Sequence, residues 1–289
     1  MNYQVLLFYK YVTIEDPTVL MHEVRTLAQK HHLLGRVLIA EEGINGTLEG
    51  TLPNTEAFVS AFFSNPRFTD ILVKRSTGNG VSFKKLVVKV RDEIVGTRFD
   101  KEIDPRVRTA PRIQPEELRS WYEQGEDFVV VDMRNDYEYR SGHFTDSINP
   151  GLSNSRDLPE ALPKLAVYKD KKVLTVCTGG VRCEKMSAYL LHEGFSDVYQ
   201  LENGIHGYME KYPGKDFKGT LYTFDKRLTM DFGGDREVVG RCYHCDTPTE
   251  TYVNCGNDFC HLHFLVCSEC KGEGSAYCTP TCKETCTTS

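Results

Sequence analysis

Between residues 115 and 201 the chain repeats one device, a short unbroken apolar run set between stretches of helical periodicity. The runs are 128–132, 173–176 and 198–201; the helical stretches are 115–124, 136–142, 157–165 and 184–193. Val-rich runs without polar alternation have no face to give to water. They predict a parallel sheet covered by helices on both sides. In such folds ligands gather beyond the carboxyl ends of the strands.

One strand end carries chemistry. The run Val173-Leu174-Thr175-Val176 passes into Cys177-Thr178-Gly179-Gly180-Val181-Arg182, read as a six-residue loop ahead of the helix at 184–193. Paired glycines let successive N–H groups turn inward, a helix N-terminus adds positive potential, and Arg182 adds a full charge. All three favour an anionic Cys177, as a thiolate or a persulfide. The plain alternative is a small buried hydrophobe at a strand end, but such a turn needs neither two glycines nor an arginine. A cysteine phosphatase loop has the form C-x5-R; here it is C-x4-R, a smaller cradle that suits a single sulfur or oxygen atom. Cys183 follows at once and is either a resolving thiol for an oxidised Cys177 or a buried helix cysteine.

Residues 1–110 read differently. Strand 3–12, helix 16–32, strands 36–41 and 44–49, helix 54–64 and strand 71–75 give the order β-α-β-β-α-β of a ferredoxin-like sandwich, with an added long strand at 83–95. Asp16 before Pro17, and Asn54 with Glu56 near it, mark the helix starts. Tyr3, Tyr9 and Tyr11 alternate on one strand and are read as core packing. The glycines of Glu42-Gly43-Ile44-Asn45-Gly46 are turn chemistry; without a P-loop lysine or G-x-G-x-x-G spacing they make no phosphate site. From Lys84 to Arg112 nine basic residues face five acidic ones in a chain of net charge -6. That stretch, with Lys84, Lys85, Lys89, Arg91 and Arg98 foremost, is either a phosphate-binding face or a solvated strand and linker.

Of eleven cysteines, nine follow position 241: Cys242-x2-Cys245, Cys255-x4-Cys260, Cys267-x2-Cys270 and Cys278-x3-Cys282-x3-Cys286, with His244, His261 and His263 among them. Paired knuckles of this kind read as metal ligands, and structural zinc is the expected ion. Eight thiolates, Cys242, Cys245, Cys255, Cys260, Cys267, Cys270, Cys278 and Cys282, fill two four-ligand sites; spacing does not say which share an ion. The alternatives are disulfides formed on oxidation and disordered thiols. No segment approaches the roughly 18 apolar residues of a membrane span, and no secretory leader opens the chain, so a soluble cytoplasmic protein is expected.

The middle segment resembles the rhodanese-like domain. The resemblance rests on Asp132-Met133-Arg134 at a strand end, Glu138, Gly142-His143, the loop Cys177 to Arg182, and Gly204 before Ile205. It implies that Cys177 is the covalent cysteine and Arg182 its loop-closing partner, with Thr178, Gly179, Gly180 and Val181 as the active-site loop. Asp132, Arg134, His143 and Cys183 stand as supporting residues; Asp132 is read as fixing neighbouring loops, and His143 as a turn histidine in competition with a catalytic acid.

The whole chain is similar to the bacterial tRNA uridine(34) hydroxylase family, through Ala40-Glu41-Glu42-Gly43-Ile44-Asn45-Gly46-Thr47, Cys177 to Lys185, Leu201-Glu202-Asn203-Gly204-Ile205 and Tyr252-Val253-Asn254-Cys255. That resemblance implies a multidomain α/β protein: 1–110 ferredoxin-like (acylphosphatase-like) and tRNA-binding, 111–220 rhodanese-like and catalytic, 221–289 Cys-rich and zinc-binding. It implies hydroxylation of the wobble uridine at C5 with molecular oxygen as co-substrate, and a tRNA anticodon loop as partner, with no DNA or membrane. Loop chemistry taken alone points instead to a sulfurtransferase carrying a persulfide, and a zinc-stabilised redox or interaction module is a third class.

Overall fold

The computed structural model describes residues 2–272 and 276–286; the side chain of the ninth tail cysteine, Cys286, lies outside what it describes. The N-terminal part runs β1 (Tyr3–Tyr11), α1 (Pro17–Lys30), β2 (Leu34–Ala40), β3 (Gly43–Thr51), α2 (Leu52–Phe62), β4 (Lys74–Gly78) and β5 (Leu86–Val90). Its sheet has the order β4-β1-β3-β2-β5, antiparallel except for β5, which pairs parallel with β2. This is the expected ferredoxin-like sandwich with an added strand. The Asp16 carboxylate caps α1 by accepting from the N–H groups of Thr18 and Val19. Asn54 does not start the second helix: Thr51 is its N-cap and Pro53 lies in its first turn, where a missing N–H costs nothing. The last two strands are also displaced, β4 starting three residues late and β5 five residues long, because turn residues on either side carry no ladder pairing.

Strand periodicity divides β1 in two. Leu6 and Phe8 enter the core with Leu20 and Val24 of α1 and Phe58 of α2. Leu7, Tyr9 and Tyr11 point from the opposite face. The expectation that the tyrosines pack this sandwich's core is therefore corrected: Tyr3 is not among its residues, and nor are Tyr9 and Tyr11. Their hydroxyls donate across to the next part of the chain, Tyr9 to Glu184 Oε1 at 3.1 Å and Tyr11 to the Val181 carbonyl at 3.3 Å.

The middle part comprises β6 (Arg112–Ile113), α3 (Pro115–Gln124), β7 (Phe128–Asp132), α4 (Asp136–Ser141), β8 (Gly142–Phe144), α5 (Leu158–Leu165), β9 (Lys172–Val176), α6 (Val181–His192), β10 (Asp197–Leu201) and α7 (Gly204–Lys211). Strands β6-β10-β9-β7 form a wholly parallel sheet. One face packs against α5 and α6 through Leu158, Leu165, Met186 and Leu190; the other packs against α3 and α7 through Leu118, Trp121, Ile205 and Tyr208. Helix α6 starts three residues earlier than its pattern indicated. Gly180, at φ 102°, is its N-cap, so the connection after Val176 is only Cys177 to Gly180, and Arg182 lies in the first helical turn.

From Arg182 to Leu190 every residue of α6 is buried, charged ones included, because the N-terminal sheet covers what would otherwise be the helix's wet side. Lys185 there bridges Glu42 at 2.8 Å and Glu93 at 3.1 Å. Buried charge survives only when paired, and these pairs lock the two parts in register. The tail adds β11 (Phe217–Gly219), β12 (Leu221–Tyr222), β13 (Thr229–Met230), β14 (Tyr252–Asn254), β15 (His263–Leu265), α8 (Ser268–Lys271) and α9 (Pro280–Cys286). It docks on α4, where Tyr252 donates to the Tyr137 carbonyl and Tyr222 stacks edge-on to the Tyr137 ring. No helix among the described residues is long and apolar enough to cross a membrane.

Candidate active site

Cys177 follows the last residue of β9 and is itself buried. Gly180 turns its N–H back onto the Cys177 sulfur at 3.2 Å, which its positive φ permits at little cost. The first N–H groups of α7 hold the loop from below, Ile205 donating to the Cys177 carbonyl at 2.9 Å and His206 to that of Thr178 at 3.0 Å. Gly204 permits this approach: a Cβ there would lie 2.5 Å from the Cys177 oxygen and 2.8 Å from the Gly180 nitrogen. Gly179 and Gly180 also serve a second purpose. Side chains there would strike Leu7 and the Tyr9 hydroxyl, so the glycines admit strand β1 against the loop.

Arg182 is fixed by Glu138. Their two-pronged pair, at 2.6 and 2.8 Å, is buried, and the Thr178 hydroxyl joins it at 3.2 Å from the guanidinium. Burial opposes ionisation of Cys177. The Cys183 thiol, the Arg182 charge and the N–H groups of Cys183 and Gly180 outweigh burial and bring its pKa from 9.0 down to about 6. Burial and the neighbouring thiolate push Cys183 the other way, so it stays protonated as the donor.

Asp132 and Arg134 form a second buried pair, and Arg134 Nη2 donates to the Gly142 carbonyl at 2.6 Å. They tie the β7–α4 loop to β8. His143 turns to the Tyr139 carbonyl at 3.0 Å and stacks on the Tyr139 ring, and burial lowers its pKa; it does not line the cavity beside Cys177.

That cavity measures about 500 Å³, within the ~300–1,000 Å³ of small-ligand sites. One wall is the loop: Cys177, Thr178, Gly179, Val181 and Arg182. The facing wall is the N-terminal sheet, with Leu7 and Tyr9 of β1, Arg36 and Leu38 of β2, Asn45 and Thr47 of β3, Val87 of β5 and Lys85 just before it. Asn135, Asn154 and Phe224 also line the cavity, with Phe83 and Lys84. Lys84 and Lys85 thus border the cavity. Lys89 lies two residues beyond Val87 on the same face of β5, and Arg91 and Arg98 are exposed beyond the strand. None of these five forms an ion pair among the described residues. In contrast Lys101, Arg106 and Arg112 of the same basic stretch are tied to Glu193, Asp104 and Glu184.

Three participants escaped the sequence reading: Glu138 as the anchor of Arg182, Arg36 on the facing wall, and the β1 face with Leu7 and Tyr9. A signal existed for the last. Strand β1 is apolar or aromatic at both odd and even positions, which is the pattern of a strand covered on both sides.

The tail cysteines converge in two sets, Cys242, Cys245, Cys267 and Cys270, and Cys255, Cys260, Cys278 and Cys282, the sulfurs of each set lying within 4.8 Å of one another. Each set can hold one metal ion. Knuckles alternate along the chain in pairing first with third and second with fourth, an order that spacing had left open.

Residues 3–94 match the family described as UPF0176 acylphosphatase like domain, residues 114–211 the Rhodanese-like domain, and residues 218–283 the family described as Rhodanase C-terminal. Among curated relatives, the tRNA uridine(34) hydroxylase of Staphylococcus aureus (strain bovine RF122 / ET3-1) is 40% identical over 286 residues, covering 98% of this chain and 90% of the relative. The tRNA uridine(34) hydroxylase of Staphylococcus carnosus (strain TM300) is 41% identical over 288 residues, with the same coverage.

Proposed function

This chain belongs to the tRNA uridine(34) hydroxylase family, and from that premise we propose that it hydroxylates the wobble uridine of tRNA at C5, with Cys177 as the nucleophile. The observation that carries this reading is the position of Cys177, a thiol with its pKa lowered to about 6 on the wall of a base-sized cavity whose facing wall is basic. In the proposed reaction the Cys177 thiolate adds to C6 of the uracil ring, and the C5–C6 π electrons move toward O4 as an enolate. Arg182 and the loop N–H groups stabilise the thiolate before attack. C5 is then electron-rich and takes oxygen from molecular oxygen. Loss of the C5 proton and expulsion of Cys177 restore the ring. Conversion of C5–H to C5–OH uses one oxygen atom; the second leaves as water with two electrons and two protons from a pair of thiols, which leave as a disulfide.

In this reading the cavity-lining amides of Asn45, Asn135 and Asn154 meet the polar edge of the base, and Arg36, Lys84 and Lys85, with Lys89 on β5 nearby, meet its phosphates. An anticodon loop offers an unstacked base, so no duplex has to be melted. In this reading residues 1–110 bind tRNA, 111–220 carry the chemistry, and 221–289 are held by zinc. Four crowded cysteine sulfurs per set suit zinc, which would neutralise the thiolates and cross-link a tail with little apolar core of its own.

The test is incubation of the purified protein with unmodified tRNA, a thiol and oxygen, followed by nucleoside mass spectrometry, beside a thiosulfate-to-cyanide sulfur-transfer assay. Oxygen-dependent 5-hydroxyuridine supports the reading. Sulfur transfer without tRNA oxidation would replace it by a persulfide carrier.

A further inference from the structure

A second groove, of about 540 Å³, opens beside the Cys177 cavity and runs toward the cysteine-rich tail. The two share Phe83, Lys84 and Phe224 as a common border. Phe224 is 60% exposed, an uncommon position for a phenylalanine that the chain goes to some length to hold still. The turn that carries it is closed by Thr223 N–H to the Leu228 carbonyl at 2.8 Å and tied to the N-terminal part by Lys226 N–H to the Ser82 carbonyl at 3.1 Å. Arg227, paired with Asp225, reaches Ser76 Oγ and the Thr77 carbonyl, each at 3.0 Å. The Arg182 guanidinium lies 5.4 Å from the centre of the Phe224 ring, on the cavity side.

The groove beyond the ring is aromatic and basic. Tyr137 lines it with Phe83 and Phe224, while Lys84 and Lys226 are exposed there and form no ion pair among the described residues. Its carboxylate, Asp225, is neutralised by Arg227. Aromatic faces interleaved with unpaired cations are the chemistry that binds single-stranded nucleic acid, bases on rings and phosphates on ammonium groups. Resting on the tRNA reading above, we propose that this groove is the subsite for the nucleotide adjoining the target uridine. Phe224 is the wedge that parts the two bases: the target enters the cavity, its neighbour stacks on the groove side of the ring, and Lys84 and Lys226 hold the phosphates between them. Because the turn is fixed before RNA arrives, the stacking contact costs little ordering.

The test measures binding of anticodon stem-loop RNA to the full chain and to Phe224→Ala, Phe224→Trp and Lys226→Glu, with the RNA intact or made abasic at the target, at its 5′ neighbour or at its 3′ neighbour. Stacking on one aromatic ring corresponds to a loss of about 5- to 150-fold in Phe224→Ala, with recovery in Phe224→Trp. On the RNA abasic at one neighbour, Phe224→Ala should cause no further loss. Lys226→Glu should weaken every RNA alike and flatten the salt dependence. A Phe224→Ala loss that persists on both abasic neighbours, or that vanishes only when the target base is missing, would overturn the subsite while leaving the tRNA reading intact. Failure of the unaltered protein to bind any of these RNAs would overturn the tRNA reading and the subsite together.

Discussion

Replacing Cys183 with alanine isolates the group that most lowers the Cys177 pKa. Burial raises the Cys177 pKa, and the Cys183 thiol, the Arg182 charge and two peptide N–H groups outweigh it and bring the value from 9.0 to about 6. A hydrogen bond to a charged acceptor contributes about 1.5–3 kcal/mol, at about 1.4 kcal/mol per pKa unit, so Cys183→Ala should raise the Cys177 value by roughly one to two units. The assay is alkylation of Cys177 by iodoacetamide across pH 5 to 10, read from its own peptide by mass spectrometry so that the tail thiols do not interfere. Cys177 is buried, and the opening that admits reagent slows alkylation at every pH without moving the midpoint. In the native protein the rate should rise through about pH 6; in the variant the midpoint should move up. Thiolate nucleophilicity grows with basicity, so the variant's high-pH plateau should stand roughly 3- to 8-fold above the native one. A midpoint that stays where it was, or falls, would refute the assignment of Cys183 as donor and leave it a buried helix cysteine or a resolving thiol.

Gly204→Ala should destroy activity while leaving the tail intact, because a Cβ at φ +63° would press on the Cys177 carbonyl and the Gly180 nitrogen; hydrogen exchange at Gly180 and Ile205 reports the displaced loop. Metal analysis of the purified chain should give two ions per molecule, falling to one in Cys255→Ser, with chelation exposing the tail to protease. Arg36→Glu should weaken tRNA binding and reduce the salt slope by about 0.7 to 0.9 per lost phosphate contact, without shifting the alkylation midpoint of Cys177.

Much of the middle part was legible because its information is local. The Val-rich runs mark β7, β9 and β10 to within a residue, and a cysteine followed by Thr-Gly-Gly-Val-Arg declares a loop that stabilises an anion. What sequence did not convey depends on contacts between distant parts. Tyr9 and Tyr11 looked like core residues because alternation says which side chains share a face and not which partner that face meets. Glu184 and Lys185 are buried against β1 and the Glu42 and Glu93 carboxylates, contacts that the helical pattern at 184–193 does not convey. Helix α6 began early because Gly180 acts as its cap, a role that its neighbours' helical pattern does not announce. The grouping of eight cysteines into two sets required the fold of the tail, since every pairing of knuckles is compatible with their spacing.

The central claim is that Cys177 carries out the modification of tRNA. The direct measurement is mass spectrometry of tRNA nucleosides from cells lacking this protein, complemented with the native chain or with Cys177→Ser at equal abundance. Serine keeps the shape of the loop and its Gly180 contact but cannot supply a thiolate. The account predicts hydroxylated wobble uridine with the native chain and none with Cys177→Ser. Normal levels of the modified nucleoside in the Cys177→Ser cells would contradict it.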